Sequence, residues 1–227
     1  MNATQVLREL KSLGSEQTRK IYLRHGASEP LFGVKFGDLK PLSKKLGCDH
    51  DLASELWETG NSDAMTLALM IADPAKWKSS EIDRWLKPLD YSLLIDMLAG
   101  LVARSKFRAA KWKKWSKSKS EQPLVAAYAL LADWVTNEPK EVPDELLEEA
   151  LDRIGHQIHQ SPNLARHSMN NALIAIGVAR DDYRDAMMSV AESIGKVTVD
   201  HGETSCKTPD AAGYVTKALS SKHRRKR

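Results

Sequence analysis

The sequence predicts an all-α protein made of antiparallel helix pairs. Three observations carry this. Apolar residues recur at helical spacing nearly from end to end, no stretch alternates with the period of a strand, and the helices pair every 35–45 residues or roughly so. That rhythm is the one expected of a HEAT-like repeat α-solenoid, with a compact helical bundle as the other arrangement the pattern allows. A chain of 227 residues is long enough to bury a sizeable core. We expect a single solenoid domain over residues 1–219 and a basic, disordered tail over 220–227.

Each element has its own signal. Val6, Leu7, Leu10 and Leu13 form an amphipathic stripe that Gly14 closes, and Ser15 starts a second helix running to about His25. The segment GASEPLFGVKFGD, with Pro30 and three glycines, reads as a loop. Leu39, Leu42 and Leu46 mark the next helix, and Leu52, Leu56 and Trp57 mark a short one over 50–59, stopped by Gly60. Asn61 caps a helix through Met65, Leu69 and Met70, with Pro74 just past its end. Ser80 opens a helix bearing Ile82, Trp85 and Leu86. Beyond the centre, Leu124, Ala127, Tyr128, Leu131 and Val135 share a face. Pro143 opens a helix with Leu146, Leu147, Ala150, Leu151 and Ile154, and Pro162 opens one with Leu164, Met169, Leu173 and Ile176. Residues 182–195 and 209–219 complete the set.

The stretch from Leu89 to Lys119 organises the rest. Its first half is an apolar helix of Leu93, Leu94, Met97, Leu98 and Leu101, with Asp90 as a plausible N-cap and Asp96 interrupting the run. Its second half carries Lys106, Arg108, Lys111, Lys113, Lys114, Lys117 and Lys119 with no acid among them. Trp112 and Trp115 lie inside that charge run, three apart, and so share a helix face.

Charge is segregated along the chain. The net value is only +4, but residues 106–119 and the C-terminal tail are basic, while 133–152 hold eight acids against one lysine. A one-signed surface of this kind favours a polyanionic partner, nucleic acid in the simplest case. The bland alternative is a set of solvated charged helices. No apolar run is long enough to span a bilayer, and the N-terminus has no signal-like core. Two cysteines make no disulfide framework, so a reducing cytoplasm, close to the nucleoid, is the expected location. Asp200, His201, Glu203 and Cys206 match no zinc spacing, nor do Cys48 and His50, and no cofactor is expected. The P-loop, nucleophile-elbow, HExxH and dinucleotide signatures are all missing from the sequence, which leaves nucleotide and serine hydrolysis without support.

Four stretches are more specific: GVKFGDLKPLSKKLG, HDLASELWETGNSDAMTLALMIADP, ARHSMNNALIAIG and IGKVTVDHGETSCKTPDAAGYV. Together they resemble the DNA alkylation-repair family of AlkD type. The resemblance implies a HEAT-like solenoid whose basic concave face holds duplex DNA. It also implies, for active members, removal of cationic N3- or N7-alkylated purines. Asp96 matches the family's catalytic Asp. The aromatic that precedes that Asp by four positions is replaced by Ser92, with Tyr91 beside it. The family's active-site Arg falls near Ala126 or Ala127, and its second cleft aromatic near Asn171. This chain is therefore a divergent member by resemblance.

A carboxylate such as Asp96 can stabilise an oxocarbenium-like transition state while aromatic faces hold a cationic base. Tyr91, Trp112 and Trp115 are the candidate lesion-facing aromatics. The competing roles are a cap or ion pair for Asp96 and core anchoring for the tryptophans. Lys106, Arg108, Lys111, Lys113, Lys114 and Lys117 are expected to contact phosphates, extended by Arg166 and His167, and at the N-terminal end by Lys35, Lys40, Lys44 and Lys45. The expected partner is damaged or distorted double-stranded DNA, bound by a monomer without membrane attachment. Base excision, non-catalytic binding of distorted or branched DNA, and a protein scaffold all remain open at this point.

Overall fold

A computed structural model describes the backbone of residues 1–225 and the side chains of residues 1–221. Thirteen α-helices and three short 3-10 turns are found among the described residues, with no strand. The chain divides into two compact units, Met1–Leu101 with Gly202–Thr204, and Val102–His201 with Ser205–Arg227.

The first unit holds α1 (Ala3–Leu13), α2 (Glu16–Arg24), α3 (Phe36–Leu46), α4 (His50–Glu58), α5 (Ser62–Ile71), α6 (Ser79–Leu86) and most of α7 (Ser92–Ala103). Its helices begin where polar caps dictate. Asn2 and Gln5 close a capping box on α1, Ser15 caps α2, Asp49 caps α4, and the Asn61 carboxamide accepts from the amides of Asp63 and Ala64. Helix α5 is apolar almost all round, and α4, α3 and α1 pack on it. An aromatic cluster joins α4 to α6: Trp57 stacks on Trp85 with ring centroids 4.2 Å apart, and Trp77 meets Trp85 edge-on at 5.5 Å.

The loop before α3 is held from within. Asp63, 2% exposed, accepts from the backbone amides of Phe32, Gly33 and Val34 at 2.7, 3.0 and 2.9 Å. Burial pushes its carboxyl up, and these three amides oppose that shift. Gly33 has φ +76°, and a Cβ there would lie 2.4 Å from the Arg19 amide nitrogen, so only glycine lets the loop approach α2 this closely.

The second unit is a two-layer stack. Helix α9 (Glu121–Asn137) packs along α11 (Asn163–Ala179), and α13 (Ala211–Arg225) packs on α11. Helix α10 (Asp144–Gln157) packs on α12 (Arg184–Ile194), so alternate helices meet, as in HEAT-type repeats. Helix α8 (Arg108–Trp115) lies on α9. Two polar contacts tie successive pairs. The Glu121 carboxylate accepts from the Leu164 amide at 2.7 Å, at the start of α11. Arg180, just past the end of α11, donates to Asp144, Asp182 and the carbonyl of Pro139. Where a disordered tail is expected from residue 220, α13 continues as helical backbone to Arg225; Lys226 and Arg227 lie outside the described residues.

Candidate nucleic-acid interface

Helix α7 begins at Ser92, so Tyr91, and not Asp90, occupies the position before its first residue. Leu94, Ile95, Leu98 and Ala99 turn inward, whereas Asp96 is exposed between the buried Ile95 and the half-buried Met97. The interruption of the apolar run is therefore the helix's open side. Asp96 neither caps a helix nor pairs with a cation among the described residues. Its carboxylate meets solvent yet is crowded by protein, and this loss of bulk water pushes its pKa up to about 6. At neutral pH it remains mostly ionised.

Tyr91 does not share that side. Five residues before Asp96, it lies about 140° away around the helix axis, and its ring is only 7% exposed. It walls, with Trp57 and Leu94, a cavity of about 390 Å³ whose lining does not include Asp96. Burial first, then the nearby Tyr22 and Asp63, pushes the Tyr91 phenol up to about 12. As a lesion-facing aromatic beside Asp96, Tyr91 is thus misplaced.

Helix α8 divides its charge run by face. Trp112 and Trp115 are each 2% exposed, and Trp112 meets Tyr128 of α9 edge-on, ring centroids 5.3 Å apart. Both tryptophans are core anchors, which corrects their assignment to a lesion-facing surface. Lys111 departs furthest from expectation. It is 2% exposed, with its ammonium 5.7 Å from the Trp115 ring centroid. Its i,i+4 relation to Trp115 carries it inward with the aromatic face. Arg108 is also committed: its guanidinium lies 4.4 Å from the Trp134 ring centroid and pairs with Glu138. The remaining cations, Lys106, Lys113, Lys114, Lys117 and Lys119, are exposed, on the side of α8 turned away from α9 or in its flanking turns. Arg104, also exposed, lengthens this surface by one cation that the run starting at Lys106 leaves out.

Arg166 and His167 serve the fold. Arg166 donates to the carbonyls of Ser161 and Thr198 at 2.8 and 3.3 Å. His167 Nδ1 and His201 Nε2 share the Thr208 hydroxyl at 3.2 and 3.0 Å, with the rings 5.2 Å apart. Burial, and then His201, hold the His167 imidazole below its ordinary pKa. Asn163 pairs with the backbone of Asp200 at 2.7 and 2.8 Å, and Asn170 donates to the Pro209 carbonyl at 3.0 Å. Residues 163, 166, 167 and 170 make one polar edge of α11 that fastens Thr198, Asp200, Thr208 and Pro209. Their spacing, three, one and three apart, is a signal the sequence does carry for a docked loop.

The positions that the resemblance assigns to other cleft groups are equally telling. Ala126 and Ala127 are fully buried in α9, and Asn171 is exposed on α11. No three His, Cys, Asp or Glu side chains converge as a metal site would require among the described residues. In the first unit Lys35, Lys40, Lys44 and Lys45 are exposed, although Lys45 pairs with Glu9 at 3.7 Å. No helix among the described residues is long and apolar enough to cross a membrane.

Residues 6–203 match the family described as DNA alkylation repair enzyme. The chain belongs to that family. Within the DNA alkylation repair family, its similarity extends to an uncharacterised protein of Listeria innocua serovar 6a, 33% identical over 92% of this chain and 94% of the relative. A second uncharacterised protein, from Listeria monocytogenes serovar 1/2a, is 32% identical over the same shares. A solved structure is 30% identical, with a TM-score of 0.91 over 98% of this chain and 95% of its own. It represents a new family of proteins related to the HEAT-like repeat DNA glycosylases with affinity for branched DNA structures. The all-α, HEAT-like fold and a divergent AlkD-type membership follow together.

Proposed function

We propose that this protein binds branched or otherwise distorted double-stranded DNA in alkylation repair, through the exposed lysine face of α8. The observation that carries the reading is the sorting of that helix. Lys113, Lys114 and Lys117 face solvent, while Trp112, Trp115 and Lys111 are buried and half-buried Arg108 is committed to Trp134 and Glu138. Lys113 and Lys117 have no ion-pair partner among the described residues, so their ammonium groups are available to phosphates. The affinity for branched DNA of the similar solved protein supports the choice of substrate. The first test is affinity for a four-way junction against a linear duplex of the same sequence, the junction being bound more tightly. Equal affinity would leave general duplex binding; absence of binding at low salt would remove DNA as the partner.

Asp96 carries a second reading, hydrolytic excision of cationic N3- or N7-alkylated purines. An accessible carboxylate in crowded surroundings, without an ion-pair partner among the described residues, can stabilise a developing oxocarbenium ion. Against it stand the buried Ala126 and Ala127, the exposed Asn171 and the misplaced Tyr91, which leave Asp96 without the companions that the family resemblance implies. Duplex DNA bearing 7-methylguanine tests it directly. Free base released no faster than the spontaneous rate supports a binder; faster release would make excision the leading reading.

A further inference from the structure

Helix α13 buries one side and leaves Tyr214 and Lys217 on the other. Ala211 and Val215 are 5% and 1% exposed, and α13 packs on α11 and α12. Gly177 of α11 and Met187 of α12 crowd this side so closely that a Cβ at 177 would meet the Met187 sulfur at 2.7 Å and a Val215 methyl at 3.1 Å. Tyr214 points the other way and is 52% exposed, the highest value among the exposed large hydrophobic residues described. Its hydroxyl makes no hydrogen bond among the described residues. Lys217, three residues on, shares its face and is exposed as well. From Ser205 onward the sequence carries seven Lys and Arg against a single acid, Asp210. That acid is occupied, accepting from the Gly213 amide at 2.7 Å.

We propose that Tyr214 is a stacking platform for an unpaired or unstacked nucleobase, with Lys217 set against the adjoining phosphate. An aromatic ring on a cationic surface binds single-stranded and splayed nucleotides with little regard to sequence, because every base offers a π-face. A linear duplex keeps those faces in its stack, whereas a branch point frees some of them. Tyr214 is therefore the residue that separates branched from linear DNA, while the α8 lysines hold phosphates in both. The inference rests on the DNA-binding reading above.

Fluorescence anisotropy with a four-way junction and its matching duplex tests it, in wild type and in the Tyr214→Ala, Tyr214→Trp and Tyr214→Leu variants. Tyr214→Ala should weaken junction binding about tenfold, the order expected for one base–aromatic stack, and leave duplex binding within about twofold. Tyr214→Trp should restore it and Tyr214→Leu should not, because only an aromatic face stacks. A 2-aminopurine at the branch point should be quenched by wild type and not by Tyr214→Ala. Unchanged junction affinity, equal loss on both DNAs, or rescue by leucine would each overturn the assignment with the DNA reading intact. Wild-type protein that binds neither DNA would overturn both.

Discussion

Trp112 meets Tyr128 edge-on across the α8–α9 interface, and this contact fixes which lysines of α8 see solvent. Trp112 sets the rotation of the helix, Trp115 follows one turn later on the same side, and Lys111 is drawn in with them. What is left facing out is Lys113, Lys114 and, in the next turn, Lys117. A basic run of sequence has become a basic face.

Trp112→Ala should therefore cost stability on the scale of a large core truncation, about 3–5 kcal/mol. Urea denaturation measures it. Trp112→Phe keeps an edge-to-face partner for Tyr128 and should lose clearly less. Equal losses would mean that the pairing does not set the position of α8.

Asp63 makes a prediction of the same kind in the first unit. Its carboxylate satisfies three backbone amides of the loop before α3, in a position nearly closed to water. Asp63→Ala strands them together and should cost about 3–5 kcal/mol, since each buried amide left without a partner costs about 1–3 kcal/mol. Thermal melting, with amide exchange at Phe32, Gly33 and Val34, would report both the loss and its place. A melting temperature unaltered by the change would mean that the loop is held by other contacts.

Asp96 titrates in a window that makes its burden visible. The unfolded carboxyl ionises near pH 4, the folded one at about 6. Between those values the folded protein holds a proton that the unfolded chain has released, so stability declines as pH rises through the window. Asp96→Asn removes the ionised group. Its melting temperature relative to wild type should be higher at pH 7.5 than at pH 4. No difference between the two pH values would mean that Asp96 is solvated like an ordinary surface acid. The same variant should abolish excision, if any is measured, because a neutral amide cannot stabilise a cationic transition state.

Much of the fold is legible in the sequence because period and caps agree locally. Asn61 and Ser15 cap the helices their positions suggest, and Gly14, Gly47 and Gly60 follow the helices they punctuate. The site is less legible, since a helical spacing gives relative faces without saying which one the rest of the chain covers. Lys113 and Lys117 share an outer face as their spacing indicates, but nothing local to Lys111 says that Trp115 carries it inward. Tyr91 and Asp96 sit close in sequence, yet the start of α7 at Ser92 places them on different sides. Arg166 and His167 read as a basic track in the sequence because their hydrogen-bond partners, Thr198 and Thr208, lie far along the chain on a segment without helical period. Asp63 is invisible for the same reason: its three amide partners precede it by about thirty residues.

The salt dependence of DNA binding tests the central claim most directly. Each lysine that neutralises a phosphate steepens the slope of log K against log[salt] by about 0.9. Lys113→Gln with Lys117→Gln should flatten the slope for duplex and junction alike by up to about two units. Lys111→Gln, inside the core, should lower the melting temperature and leave the slope where it was. A slope untouched by the Lys113 and Lys117 changes, or flattened as much by Lys111→Gln, would contradict the assignment of the α8 face to DNA.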